Sequence, residues 1–252
     1  MLHLLRQKTR TTNSKIRPER LLLFGLLFLL AQTSMAQRER EMYLYDHDLK
    51  PYYFGITLGV NLAKFHPDMS SRFLQDDSVL VAEPKNSGGF TLGLLATARI
   101  SDRFQARFNP QLQFYQRDIF YKLRYPEGGG ETEVTKTVES VVVSFPVQIK
   151  LQSDRINNFR VYMMAGIKGD IDLASNARAK RADDLIKIKK YDFGPELGVG
   201  FNFFFQSFIL SPEIKISNGI PNIHSRDPNL KFSSVFDKIQ SRMIVFSIHI
   251  EG

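Results

Sequence analysis

The stretch Phe104-Gln-Ala-Arg-Phe-Asn-Pro-Gln-Leu-Gln-Phe-Tyr115 decides how this chain is read. Phe104, Ala106, Phe108, Pro110, Leu112 and Phe114 fall on one face of an extended backbone, and Gln105, Arg107, Asn109, Gln111 and Gln113 on the other. A period of two, apolar on one side and polar on the other, predicts a β-strand set between two unlike environments. The segment is about as long as the 9–11 residues that cross a bilayer at a tilt. Pro110 has no N–H to give a ladder, so a bulge or local break is expected there.

The same alternation recurs on both sides of this stretch. Phe54, Ile56, Leu58, Val60 and Leu62 alternate with Gly55, Thr57, Gly59 and Asn61; Phe90 to Ile100 repeats the pattern. After the opening stretch it returns over Val141–Gln152, Phe159–Asp170, Asp192–Phe203, Phe208–Ser217 and Ile244–Glu251. Short connections (Ser101–Arg103, Ser153–Asn158, Phe205–Ser207) alternate with long polar ones, about 66–87, 117–139, 172–190 and 218–237. This layout predicts an all-β fold: a closed antiparallel up-and-down transmembrane β-barrel of about eight strands, with both ends of the barrel chain on the short-turn side. A soluble barrel would also alternate, with its apolar face turned inward. Glycines on the polar face (Gly55, Gly59, Gly93, Gly166, Gly198, Gly200) and phenylalanines crowding the apolar one favour a narrow lumen and a lipid-facing band.

The N-terminus reads as a cleaved signal peptide over residues 1–36. Arg6, Lys8, Arg10, Lys15, Arg17 and Arg20 precede the apolar run Leu21–Leu30, and Ser34-Met35-Ala36 offers small residues before a cut. The apolar run is about half of the ~20 residues a spanning helix needs. Residues 37–51 form a polar periplasmic lead, expected to be poorly ordered alone, and 52–252 the outer-membrane barrel. The formal charge of +8 falls to about +3 once those six basic residues and Glu19 are removed. Nucleic acid therefore loses its support as a partner. Without cysteine there is neither a disulfide framework nor a thiolate metal site.

A barrel of this size has room only for its own side chains. Charges on the inward face must then pair, and Arg99, Arg107, Lys150, Arg160 and Lys168 set against Asp170, Asp192, Glu196, Glu213 and Glu251 predict an ionic plug. A polar conduit for a small solute, a porin-like role, is the alternative. The third long loop carries Arg178, Lys180, Arg181, Lys187, Lys189 and Lys190, which as a group suit lipopolysaccharide, outer-membrane lipid or an acidic partner. His66 and His224 fall near the outer rim with Asp68, Ser225 and Asp227 nearby in sequence, the ingredients of a rim hydrolase acting on lipid or protein. Nothing in their spacing forces them together. No phosphate-binding glycine motif, metal-ligand cluster or nucleophile elbow is present, so no cofactor or metal is expected.

Asn157-Asn-Phe-Arg-Val-Tyr-Met-Met-Ala-Gly-Ile-Lys-Gly-Asp-Ile-Asp-Leu-Ala-Ser-Asn176, together with Phe145-Pro146 and Tyr53-Phe54-Gly55-Ile56, resembles the PorT family of Bacteroidetes outer-membrane barrels. The resemblance implies a non-enzymatic accessory or assembly component of the type IX secretion system, which exports proteins across the outer membrane and in some bacteria supports gliding motility. It also implies other secretion-system proteins as partners. The family offers no catalytic residues to carry over.

Overall fold

The computed structural model describes residues 41–70, 79–124, 131–175, 188–225 and 235–252. The expected signal peptide 1–36 and residues 37–40 of the lead lie outside the described residues, as do Arg178, Lys180, Arg181 and Lys187.

All strands of the described chain join one antiparallel sheet: β1 (Tyr52–Met69), β2 (Val79–Lys85), β3 (Ser87–Arg99), β4 (Phe104–Phe108), β5 (Gln111–Leu123), β6 (Glu133–Gln152), β7 (Phe159–Asp172), β8 (Tyr191–Phe204), β9 (Ile209–Asn218) and β10 (Phe236–Glu251). β1 pairs with both β3 and β10, which closes the sheet on itself. β4 and β5 are two pieces of one barrel strand, separated at Asn109-Pro110, where the missing proline N–H interrupts the ladder. The Pro110 carbonyl still accepts from the Leu94 N–H at 3.0 Å. β2 likewise continues β3 outward and pairs with β5. Counted so, the ring has eight strands.

Outward residues form an apolar band, with Phe54, Leu58 and Val60 on β1, Leu197 and Val199 on β8, and Ile248 on β10 all exposed. No helix among the described residues is long and apolar enough to cross a membrane; the strands make this band instead. Aromatic rings collect at its short-turn edge: Phe159 lies 5.8 Å from Phe201 and 5.3 Å from Phe203, centroid to centroid, and Phe205 stacks on Phe208 at 5.0 Å. Such girdles mark the edges of the lipid-facing band of a membrane barrel.

Two of the expected long loops are largely strand. β1 runs to Met69, β2 occupies Val79–Lys85, β5 continues to Leu123 and β6 begins at Glu133. β6 has 20 residues, about twice what a crossing requires. The surplus projects beyond the apolar band at the long-loop end. There the outward residues are polar (His66, Asp68, Glu83, Lys122, Glu139) and the inward ones apolar (Phe65, Ala82, Ile119, Tyr121, Val138). Hydrophilic outward positions had made these stretches look like loop.

Part of the lead is folded as well. Tyr45–Leu49 is a single short 3-10 helix seated at the short-turn mouth. Leu44, which precedes it, has φ 51°, an unusual conformation for a bulky side chain that persists only where surrounding contacts hold it. Those contacts come from Arg155, which donates to the Tyr43 and Leu44 carbonyls.

Candidate functional site

The lumen is filled at successive levels. Nearest the short turns lies a buried ionic cluster. Arg107 on β4 is 1% exposed and reaches Glu213 Oε2 on β9 at 2.8 Å and Glu251 Oε1 on β10 at 3.3 Å. The Tyr162 hydroxyl donates to the same Glu213 oxygen at 2.8 Å. His249 Nε2 stands 3.3 Å from Glu213 Oε1, and its Nδ1 is 2.8 Å from the Thr57 hydroxyl. Lys150 Nζ lies 4.0 Å from the Tyr162 ring centroid and 3.5 Å from Asn202 Oδ1. Glu196 takes Gln148 and, at 3.8 Å, Lys215. Space for this packing comes partly from Gly200: a Cβ there would stand 2.4 Å from Tyr162 Cζ.

Toward the long-loop end the interior holds a second charged group. Lys168 pairs with Asp170, and Arg117 reaches Asp172 at 3.6 Å and the Ser140 hydroxyl at 2.6 Å. The Arg117 guanidinium also covers the Phe65 and Tyr115 rings at 4.4 and 5.0 Å. Asp192 is half-buried, its carboxylate in the place a Gly219 side chain would occupy. Beyond these, Phe65, Ile119, Tyr121, Ile188, Ile223, Phe236 and Ile239 pack into an apolar core of the kind found in soluble proteins.

The opposite mouth is covered by the lead. Asp48 accepts from Arg160 at 2.9 Å and pairs with Arg155 at 3.3 Å, while Arg99 donates to its backbone carbonyl. His47 is buried, 4.5 Å from the Tyr53 ring and 6.5 Å from Phe204. Arg155 lies over Phe204 at 3.6 Å. Burial lowers the His47 imidazole from 6.5 to about 4, against the raising effect of Glu251 and Asp48 and with the help of Lys50 and Lys150.

The predicted plug residues thus separate by depth. Arg107, Lys150, Glu196, Glu213 and Glu251 lie deep in the lumen, and Lys168, Asp170 and Asp192 sit nearer the long loops. Arg99 is corrected: it is the last residue of β3, its side chain is 25% exposed, and its partners are Asp102 and the Asp48 carbonyl at the rim. It sits where the lumen opens, so it clamps the lead and does not fill the barrel. Arg160 also turns to the lead. Asp48, Tyr162 and His249 complete these contacts; Tyr162 and His249 stand at inward positions of the alternation, whereas Asp48 had no periodicity to mark it.

The rim histidines lie on different faces. His66 is exposed on the outward side of β1, while His224 is buried beside Ile188. A hydroxyl, an imidazole and a carboxylate do line up elsewhere, as Thr57, His249 and Glu213, but all three are no more than 5% exposed, leaving no space for a substrate. Of the basic third loop, Lys189 donates to the Asn222 carbonyl at 2.9 Å and Lys190 lies 5.9 Å from the Tyr191 ring. Among the described residues no group of three potential metal ligands is assembled.

A family model described as outer membrane protein beta-barrel domain matches residues 31–225. Comparison with curated proteins finds no match. Among solved structures the chain is similar to Neisserial surface protein A, at 12% identity over 78% of this chain and 96% of that one, with a TM-score of 0.37. It is also similar to the outer membrane protein OprG from Pseudomonas aeruginosa, at 14% identity over 78% and 93%, again with a TM-score of 0.37.

Proposed function

The chain belongs to the outer membrane protein β-barrel domain family, and from that premise we propose that this outer-membrane barrel is a non-enzymatic accessory or assembly component of the type IX protein secretion system. The observation that carries a non-conducting role is the filled lumen: an ionic cluster, an apolar core and a docked lead occupy the interior from mouth to mouth. A ring of eight strands is too narrow for folded cargo in any case. Its role in export is then exercised by surfaces. The long loops face the outside, where lipopolysaccharide and other outer-membrane lipids are within reach. Both mature termini, the lead and the short turns face the periplasm and meet other secretion proteins. The resemblance of Asn157–Asn176 and Tyr53–Ile56 to the PorT family supplies the link to type IX secretion.

Deleting the gene should leave cargo inside the cell, and copies carrying His66→Ala or His224→Ala should restore export. Replacing Arg178, Lys180, Arg181, Lys187, Lys189 and Lys190 by Ser, or removing 37–51, should impair it. Normal export in the deletion strain would end the secretion reading. Stable solute-sized conductance in a planar bilayer would replace it with a small porin; loss of export with either histidine variant would favour a hydrolase.

A further inference from the structure

The apolar band ends unevenly around the ring. On the arc between β1 and β10 its last rung is Leu62 opposite Ile244, and the next outward rung is Lys64 opposite Arg242. Two cations facing each other across a ladder repel. Elsewhere the corresponding rung is self-satisfied: beyond Phe114 and Val141, Gln116 faces Glu139 and donates to it at 3.3 Å. No described carboxylate pairs with Lys64 or Arg242. Farther out, His66 faces Gln240, and Asp68, the nearest acid along β1, already faces Lys238.

The pair is also oriented. Arg242 Nε donates to Asn218 Oδ1 at 3.1 Å, which turns the fork of the guanidinium and leaves its terminal nitrogens open. Lys64 is half-buried and its ammonium has no bond to a described residue. A planar fork beside a compact ammonium is the combination that grips a phosphate. The rung lies where lipid headgroups meet the hydrocarbon, a depth at which long cationic side chains reach outward along apolar surface. We propose that Lys64, Arg242 and Asn218 form a binding site for the phosphate of an outer-leaflet lipid headgroup. The anion relieves the repulsion that the bare barrel carries at this rung. The assignment uses the outward-facing orientation of the long loops and is independent of any role in secretion.

The test uses the full barrel purified in a zwitterionic detergent and titrated in native mass spectrometry with three probes: lipid A, dephosphorylated lipid A and inorganic phosphate. Wild-type protein should hold lipid A. The K64Q/R242Q pair should weaken it by about tenfold or more, Lys64→Gln alone by less, and Lys238→Gln not at all. Dephosphorylated lipid should bind the wild type as weakly as lipid A binds the double variant. Unchanged lipid A binding by Lys64→Gln and by a double variant that still migrates as a folded barrel overturns the site. So does equal retention of the dephosphorylated lipid. Inorganic phosphate binding as tightly as lipid A would assign the site to a soluble anion and overturn the lipid.

Discussion

The two halves of β10 obey opposite rules. From Ile244 to Ile250 the outward residues are apolar, and Ser247, His249 and Glu251 point inward. From Lys238 to Arg242 the outward residues are polar, and Ile239 joins the buried core. The backbone alternation runs through both halves; only the hydrophobic phase changes. β1 and β6 switch in the same way. The surrounding medium explains it. Lipid claims the apolar face within the band, which leaves polar and charged groups to fill the lumen. Water claims the polar face beyond it, so the interior can be an ordinary core. One set of strands therefore makes a membrane barrel and, continued outward, a soluble one. The interior turns apolar first: Met243 and Val245 are buried while Ile244, between them, still faces outward with the band.

The contrast can be broken most severely from the ionic side. Glu213→Leu leaves Arg107 with one carboxylate and His249 and Tyr162 with none, and should cost about 3–5 kcal/mol. The urea midpoint of the heat-modifiable band on an unboiled gel measures this, and an unchanged midpoint would show the cluster to be energetically idle. The outward face gives a sharper comparison within one strand. Leu58→Lys, inside the band on β1, should cost about 2–4 kcal/mol in lipid. His66→Lys, eight positions on along the same face, should stay within about 0.5 kcal/mol. Equal costs would remove the boundary between the halves. Packing in the ionic half is tested by Gly200→Ala. Its Cβ would collide with Tyr162, so a loss of about 1–3 kcal/mol is expected, against no measurable change for Gly88→Ala, whose Cβ would meet nothing within 4 Å.

The smallest effect concerns the lead. The undocked His47 takes up a proton near pH 6.5 and the docked one only near pH 4. Docking is thus at full strength above pH 6.5 and weakens as pH falls toward 4. The chain has no cysteine, so a spin label at Tyr45→Cys reports the lead alone. Its mobility should rise across that interval, and His47→Phe should abolish the dependence on pH.

Much of this was readable from alternation. The barrel strands, their inward faces and the break at Pro110 follow from a period of two and a missing donor. The outward extensions escaped because tracking one apolar face fails where the phase inverts: Leu62 points out and Phe65, three residues on, points in. Asp48 and His47 escaped for another reason. A five-residue 3-10 helix has too little length for periodicity, and its stability is supplied by residues more than a hundred positions away, Arg155 and Arg160. The Lys64–Arg242 pair needed the register of β1 on β10, which only ring closure defines.

The docked lead also bears on the order in which the molecule is put together. Its holders come from scattered places: Arg99 closes β3, Arg155 and Asn158 lie in the turn before β7, Arg160 is on β7 and Phe204 ends β8. Glu251, whose charge acts on the His47 imidazole, belongs to the final strand. The socket is complete only once β3, β7, β8 and β10 are all in place. The earliest described stretch of the chain is therefore among the last to find its seat, and a seated lead reports that these strands have been inserted. A barrel stalled one hairpin short would trail this segment free, where a protease could tell it from the finished product.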